Sequence, residues 1–96
     1  MLNIQLARKY GTAIFEIANE DNKLEEYGRE LADVSQALFA QAELKDFLTN
    51  PQIQPEDKKQ VLLRLLKDQV SPMMMHFLLL LVDKRRIVLL EAINDC

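Results

Sequence analysis

The most apolar stretch of the chain is a ten-residue run, Met73 to Val82, in which only His76 is not apolar. It is too short for a membrane span, which needs roughly 20 apolar residues, and too apolar for a surface helix, which has a polar face. Ser71 offers an N-cap oxygen, and Pro72 suits the first helical position, where no backbone donor is needed. The pattern predicts a helix from about Pro72 to Lys84 that is apolar on almost all sides.

A second region with excess apolar surface is the segment from Leu2 to about Asn19, which also predicts a helix. At about 100° per residue, its apolar residues form two adjoining stripes that together span roughly 200°, about twice what a core-facing helix needs. The first stripe contains Ile4, Ala7, Gly11, Ile14, Phe15 and Ala18, and the second contains Leu6, Tyr10, Ala13 and Ile17. Gly11 weakens a helix, so its place on the apolar side predicts close approach of another helix.

The segment after Asn22 has a narrower pattern, typical of one wall of a bundle. Asn22 and Glu25 have the spacing of a capping box, which predicts a helix start at this point. One apolar seam follows, and the opposite face, which includes Glu30, is expected to be solvent-exposed. The seam consists of Leu24, Tyr27, Leu31, Val34 and Leu38.

The whole pattern predicts an all-α fold, a six-helix bundle formed as a single domain over residues 1–96. The helices are expected near residues 3–19, 23–40, 42–48, 55–68, 72–84 and 86–95. In the fourth, Pro55 suits the first position, and Val61, Leu62, Leu65 and Leu66 form the apolar side. We favour a break near Lys84 and Arg85, although periodicity alone leaves one long helix from Pro72 to Asp95 open.

Composition narrows the class of protein. With 49% apolar and 28% charged residues, 96 residues suffice for one core. A net charge of −3 argues against a general nucleic-acid binder, which has a dominant basic surface. The one cysteine, Cys96, cannot form an internal disulfide, and we assign it no metal or nucleophile role. Without a signal-peptide or transit-peptide pattern at its start, the protein is expected to be cytosolic.

Motifs for catalysis are absent from the sequence. One histidine, no Gly-rich loop and no Cys/His cluster leave no residues from which to predict a catalytic, cofactor or metal site. His76 and Asp83 share a helical face, which is more typical of a solvent-exposed edge than of a catalytic pair. The cluster Lys84, Arg85, Arg86 more often ends a helix and stays solvated, and contact with nucleic acid is the less favoured interpretation.

Two of the predicted helices have one apolar stripe more than a core requires. On the first helix we take the additional stripe to be the one that contains Leu6, Tyr10, Ala13 and Ile17. On the fifth helix it contains Met73, Phe77 and Leu80. If the two helices lie side by side, the stripes form a groove for an amphipathic partner helix. We call this surface the predicted groove; it consists of Leu6, Tyr10, Ala13, Ile17, Met73, Phe77 and Leu80. The alternative, that both helices are simply central in the core, stays open at this point.

Three segments of the chain resemble a known family. They are Ala7-Arg8-Lys9-Tyr10 with Ala13-Ile14-Phe15-Glu16-Ile17-Ala18, then Phe47-Leu48-Thr49-Asn50-Pro51, and then Phe77 to Ile87, FLLLLVDKRRI. In order and spacing they resemble the delta subunit of bacterial F-type ATP synthases, whose mitochondrial counterpart is the oligomycin-sensitivity-conferring protein.

The resemblance implies a non-catalytic stator component without a cofactor, peripheral to the inner face of the bacterial membrane and with no membrane insertion of its own. It implies a six-helix bundle whose first and fifth helices bind the N-terminal helix of an alpha subunit, through positions that match Tyr10, Ala13, Phe77 and Leu80. Members of the family bind the b-subunit stalk through a C-terminal domain that this sequence lacks, so stalk binding is not expected here. A small helical RNA-binding factor of the antitermination kind is the alternative function.

Overall fold

The computed structural model describes residues 3–95, which form six α-helices and a short 3-10 turn without any strand. The all-α prediction is therefore confirmed for this part of the chain, and Cys96 lies outside it. The helices are α1 (Ile4–Glu20), α2 (Leu24–Phe39), α3 (Ala42–Thr49), α4 (Pro55–Leu66), α5 (Pro72–Asp83) and α6 (Leu90–Asn94), with the 3-10 turn at Ile87–Leu89.

Helix α5 lies at the centre of the bundle. Its Met74, Leu78 and Leu81 are fully buried, and it packs most closely against α4 and also against α2. Helix α1 packs against α6 and α2 and buries a narrow stripe of Ala7, Ile14 and Ala18. Burial of these apolar side chains is the main favourable contribution to folding.

Helices α4 and α5 start at the residues predicted to begin them. Ser71 Oγ accepts a hydrogen bond from the Met74 N–H, which caps α5, and Pro55 and Pro72 occupy the first positions of α4 and α5. Asn3 caps α1 in the same manner, since its Oδ1 accepts from the Leu6 N–H at 3.0 Å.

The capping box predicted at Asn22 is wrong. Asn22 has a φ of 57° and no capping role at the start of α2, where Lys23 is the N-cap residue. The Lys23 N–H donates to the Ala18 carbonyl and the Asn22 N–H to the Asn19 carbonyl, the hydrogen bonds of a Schellman motif. Asn22 therefore ends α1, because Asn adopts the left-handed conformation more readily than most residues.

The same motif separates α5 from the 3-10 turn and confirms the break near Lys84 and Arg85. Arg85 has a φ of 58°, the Arg86 N–H donates to the Leu81 carbonyl, and the Arg85 N–H donates to the Val82 carbonyl. A left-handed arginine carries no sequence signal of its own, because glycine is the usual residue at this position.

Not every apolar residue of the predicted stripes is buried. Ile4 and Phe15 of α1, Leu24 of α2 and Leu65 of α4 are exposed. Helical periodicity places a residue on a face, but the neighbouring helices decide how much of that face is covered. The expected core positions Leu31 and Leu78 are buried.

Glu30, expected to be solvated, is half-buried and bonded across the bundle. Its carboxylate accepts from the backbone N–H and from Oγ of Ser71, both at 2.7 Å. A residue of α2 thereby holds the cap of α5 in place, which fixes how these two helices meet.

Candidate functional site

Helices α1 and α5 meet at the predicted groove through two aromatic rings. The ring centroids of Tyr10 and Phe77 are 6.3 Å apart with an interplanar angle of 69°, an edge-to-face arrangement. Helices α1 and α5 are not packed closely against each other along their backbones. The ring contact therefore spans the space between them.

The seven residues of the predicted groove differ in burial. Phe77 is only 7% exposed, and Leu6, Tyr10 and Met73 are half-buried against the core. Ala13 is exposed, as are Ile17 at 40% and Leu80 at 37%. Phe77 thus contributes more to the core than the stripe pattern predicted, whereas the exposed three leave apolar surface in contact with solvent on both helices.

A guanidinium group lies directly beside the ring contact. Arg86 Nη1 donates to the Tyr10 hydroxyl at 2.8 Å, and the guanidinium carbon lies 5.8 Å from the centre of the same ring. Arg86 is itself half-buried. Helical spacing does not connect these residues, because Arg86 follows the break after α5. The contact was therefore not predicted, and no periodic signal in the sequence reveals it.

Two other basic residues near the end of α5, Arg85 and Lys59, have partners within the bundle. Arg85 Nη1 donates to the Pro51 carbonyl at 2.9 Å, and Lys59 Nζ forms an ion pair of 2.8 Å with Asp83. That hydrogen-bonded ion pair raises the pKa of Lys59. These contacts give no support to the alternative of an RNA-binding surface at Lys84 to Arg86.

Lys58 of α4 is buried, and its side chain reaches the C-terminal end of α3. Its Nζ donates to the Asn50 carbonyl at 2.7 Å, just after the last residue of that helix. Burial, and secondarily the charge of Arg85, lowers the pKa of Lys58. The carbonyl end of a helix carries partial negative charge, so the contact compensates the helix terminus.

Within residues 3–95, no group of three or more His, Cys, Asp or Glu side chains is placed to hold a metal ion. None of the helices in the same range is long and apolar enough to cross a membrane.

A second apolar surface lies on another side of α1. A depression of about 180 Å³ opens between α1, α2 and α6, and Gly11, Phe15 and Gly28 contribute to its lining. Phe15 is 58% exposed there, and a methyl group placed on Gly28 would meet no atom within 4 Å. Gly11 thus lies on the side of α1 that faces α2 and α6, away from the predicted groove.

Comparison with known proteins places these features in a family context. Residues 6–96 match the family described as ATP synthase delta (OSCP) subunit. The chain is 38% identical over 94 residues to the ATP synthase subunit delta of Gloeothece citriformis, a match that covers 98% of this chain and 51% of the relative. It is 41% identical over 93 residues to that of Halothermothrix orenii, covering 97% and 49%. For Desulforamulus reducens the identity is 44% over 86 residues, covering 90% and 48%. The chain thus spans about half the length of the curated relatives it matches.

Proposed function

This chain belongs to the ATP synthase delta (OSCP) subunit family, and from that premise we propose that it is a stator component of an F-type ATP synthase. In this role it links the catalytic head of the enzyme to the peripheral stalk. The head is then held still against rotor torque, so that proton flow drives ATP synthesis. The contribution is mechanical, and no residue of the chain acts on a substrate.

We further propose that the partner on the head is the N-terminal helix of an alpha subunit, bound along α1 and α5. The observation that carries this proposal is the Tyr10–Phe77 ring contact, which joins the two helices. On the same predicted stripes, Ala13 and Ile17 of α1 and Leu80 of α5 are exposed. Exposed apolar residues on two neighbouring helices suit the apolar face of an amphipathic helix. The match of residues 6–96 to the family supports the same assignment.

The site of action follows from the same proposal. The chain would work in the cytoplasm, at the inner face of the bacterial membrane, as a peripheral part of a membrane-bound complex and without insertion into the bilayer. The b-subunit stalk would be bound by the family's second domain rather than by the helices described above.

Isothermal titration of residues 1–96 with a synthetic peptide of the alpha subunit's N-terminal helix tests the proposal. We expect saturable one-to-one binding and a negative heat capacity change, which is the signature of apolar burial. A peptide of the same composition in scrambled order is the control and is expected not to bind. Absence of binding by the native peptide, with the bundle folded by circular dichroism, would overturn the proposed function.

A further inference from the structure

We propose that Arg86 makes the predicted groove selective for a partner helix that carries a carboxylate side chain beside Tyr10. This inference rests on the proposed function, because it adds a charged contact to the same surface. It names the chemistry that the partner must bring: an apolar face for α1 and α5, and an Asp or Glu at the end of the groove where α5 stops.

Among residues 3–95, no carboxylate forms an ion pair with Arg86. Among the residues that the structure describes, the ion pairs are Lys45 with Glu91 and Lys59 with Asp83. Arg86 instead donates to the neutral hydroxyl of Tyr10 and lies near its ring. A half-buried cation held by neutral groups keeps most of its capacity to attract an anion.

Arg86 and Tyr10 carry hydrogen-bond donors beyond the one N–H that joins them. A guanidinium has five N–H donors in a planar fork that matches a carboxylate, and the Tyr10 hydroxyl accepts from only one of its nitrogens. Since the Tyr10 oxygen acts as the acceptor here, its own proton remains free to be donated. Arg86 and Tyr10 together therefore present N–H and O–H donors side by side, a suitable arrangement for one carboxylate.

A carboxylate that binds Arg86 would do so in a place from which the partner helix excludes water. Tyr10 stands on Phe77, which is almost fully buried, so a helix laid on this surface would exclude water from the Arg86 side chain. Charge-assisted hydrogen bonds strengthen as the surroundings become less polar. An amphipathic helix with only neutral residues at this point would instead leave the guanidinium desolvated and unpaired.

The neighbouring basic residue does not share these properties and provides a matched control. Arg85 is exposed, and its guanidinium donates to the Pro51 carbonyl rather than to a residue of the predicted groove. Arg85→Gln and Arg86→Gln each remove one positive charge, and the two positions are adjacent. Only Arg86→Gln removes a contact with Tyr10.

A double-mutant cycle tests the proposal with the alpha-subunit N-terminal peptide and versions in which one Asp or Glu at a time becomes its amide. We expect Arg86→Gln to weaken binding of the native peptide roughly tenfold to a hundredfold, as for a lost charge-assisted contact. Arg85→Gln should leave the affinity unchanged. One amide substitution should weaken binding to the wild-type bundle by a similar factor and make no further difference to Arg86→Gln.

Arg86→Lys serves as the second variant, because it keeps the positive charge and is expected to retain the preference for the acidic peptide. Thermal melts monitored by circular dichroism verify that each variant is folded. If Arg86→Gln weakened the binding of every peptide by the same factor, Arg86 would only position Tyr10, and the proposal would be overturned. Unchanged affinity of Arg86→Gln for the native peptide would also overturn it while leaving the proposed function intact. If no peptide bound the wild-type bundle, the proposed function itself would fail.

Discussion

Each oxygen of the Glu30 carboxylate accepts one hydrogen bond from Ser71, the residue that caps α5. In an ordinary capping box the acid comes from the same helix, three residues after the cap. Here the acid comes from α2, at a separation of 41 residues, so that one side chain both completes the cap and ties two helices together. A local sequence pattern does not reveal a cap completed from a distant helix.

We expect Glu30→Ala to lower the free energy of unfolding by about 1–3 kcal/mol, because both bonds involve a charged group that is partly shielded from water. Urea denaturation measures this loss. Asp33→Ala, which removes an exposed carboxylate from the same helix, is the matched control and should change stability by less than about 0.5 kcal/mol. Equal effects of the two substitutions would show that the Ser71 contact contributes nothing to stability.

At the scale of helices, apolar periodicity and N-terminal signals located α1 to α5, because both are local. The helix expected near residues 86–95 is instead the 3-10 turn Ile87–Leu89 followed by the short α6, Leu90–Asn94. Ser71, Pro55 and Pro72 begin helices as expected. The residues that follow the C-caps of α1 and α5, Asn22 and Arg85, are both left-handed and neither is a glycine, so the usual sequence signal of a helix end is missing at both. The Schellman hydrogen bonds assign Asn22 to the end of α1, although its spacing from Glu25 had assigned it to the start of α2.

Asn22→Ser separates the two roles of that residue. Serine is as good an N-cap as asparagine but adopts the left-handed conformation less readily, so we expect a loss of about 0.5–1 kcal/mol in unfolding free energy. Asn22→Gly should be neutral or stabilising, because glycine adopts that conformation without a steric cost. Chemical denaturation of both variants gives the comparison. If Asn22→Ser left the unfolding free energy unchanged, the capping-box interpretation would be favoured instead.

Gly28→Ala should stabilise the bundle by about 0.4–1 kcal/mol. Gly28 lies within α2 without a positive φ, and an added methyl group would meet no neighbouring atom. The gain would come from reduced backbone freedom in the unfolded chain and from better helix propensity. Ala32→Gly, at an exposed position one turn later, is the reciprocal control and should lower the unfolding free energy by a similar amount. A loss of stability in Gly28→Ala would mean that the depression in front of it is not open.

For the whole molecule, the sequence pattern does not predict how much of each apolar stripe is covered by the neighbouring helices. Pattern alone gave two apolar stripes on the first helix but did not predict that Phe15 would be exposed. It also did not predict that Phe77 would be buried beneath Tyr10. Both outcomes depend on where α1 lies relative to α2, α5 and α6. Contacts such as Arg86 with Tyr10, 76 residues apart, arise only once the bundle has formed.

The bundle therefore has an apolar surface on each of two sides of α1, and we assign the partner helix to the one shared with α5. Ala13 and Phe15 are both exposed, two positions apart on that helix. Ala13 belongs to the predicted groove, whereas Phe15 lines the depression shared with α2 and α6. Substitution of each by aspartate places the same charge on one surface at a time.

The most direct test is titration of Ala13→Asp and Phe15→Asp with the alpha-subunit N-terminal peptide, beside thermal melts of both free proteins. We expect Ala13→Asp to bind at least about a hundredfold more weakly, since the partner would bury an unpaired carboxylate. Its melting temperature should hardly change, because Ala13 is exposed in the free bundle. Phe15→Asp should keep its affinity for the peptide. An Ala13→Asp variant that binds as tightly as the wild type would contradict binding at the predicted groove, and a Phe15→Asp variant that loses binding would assign the partner to the other surface.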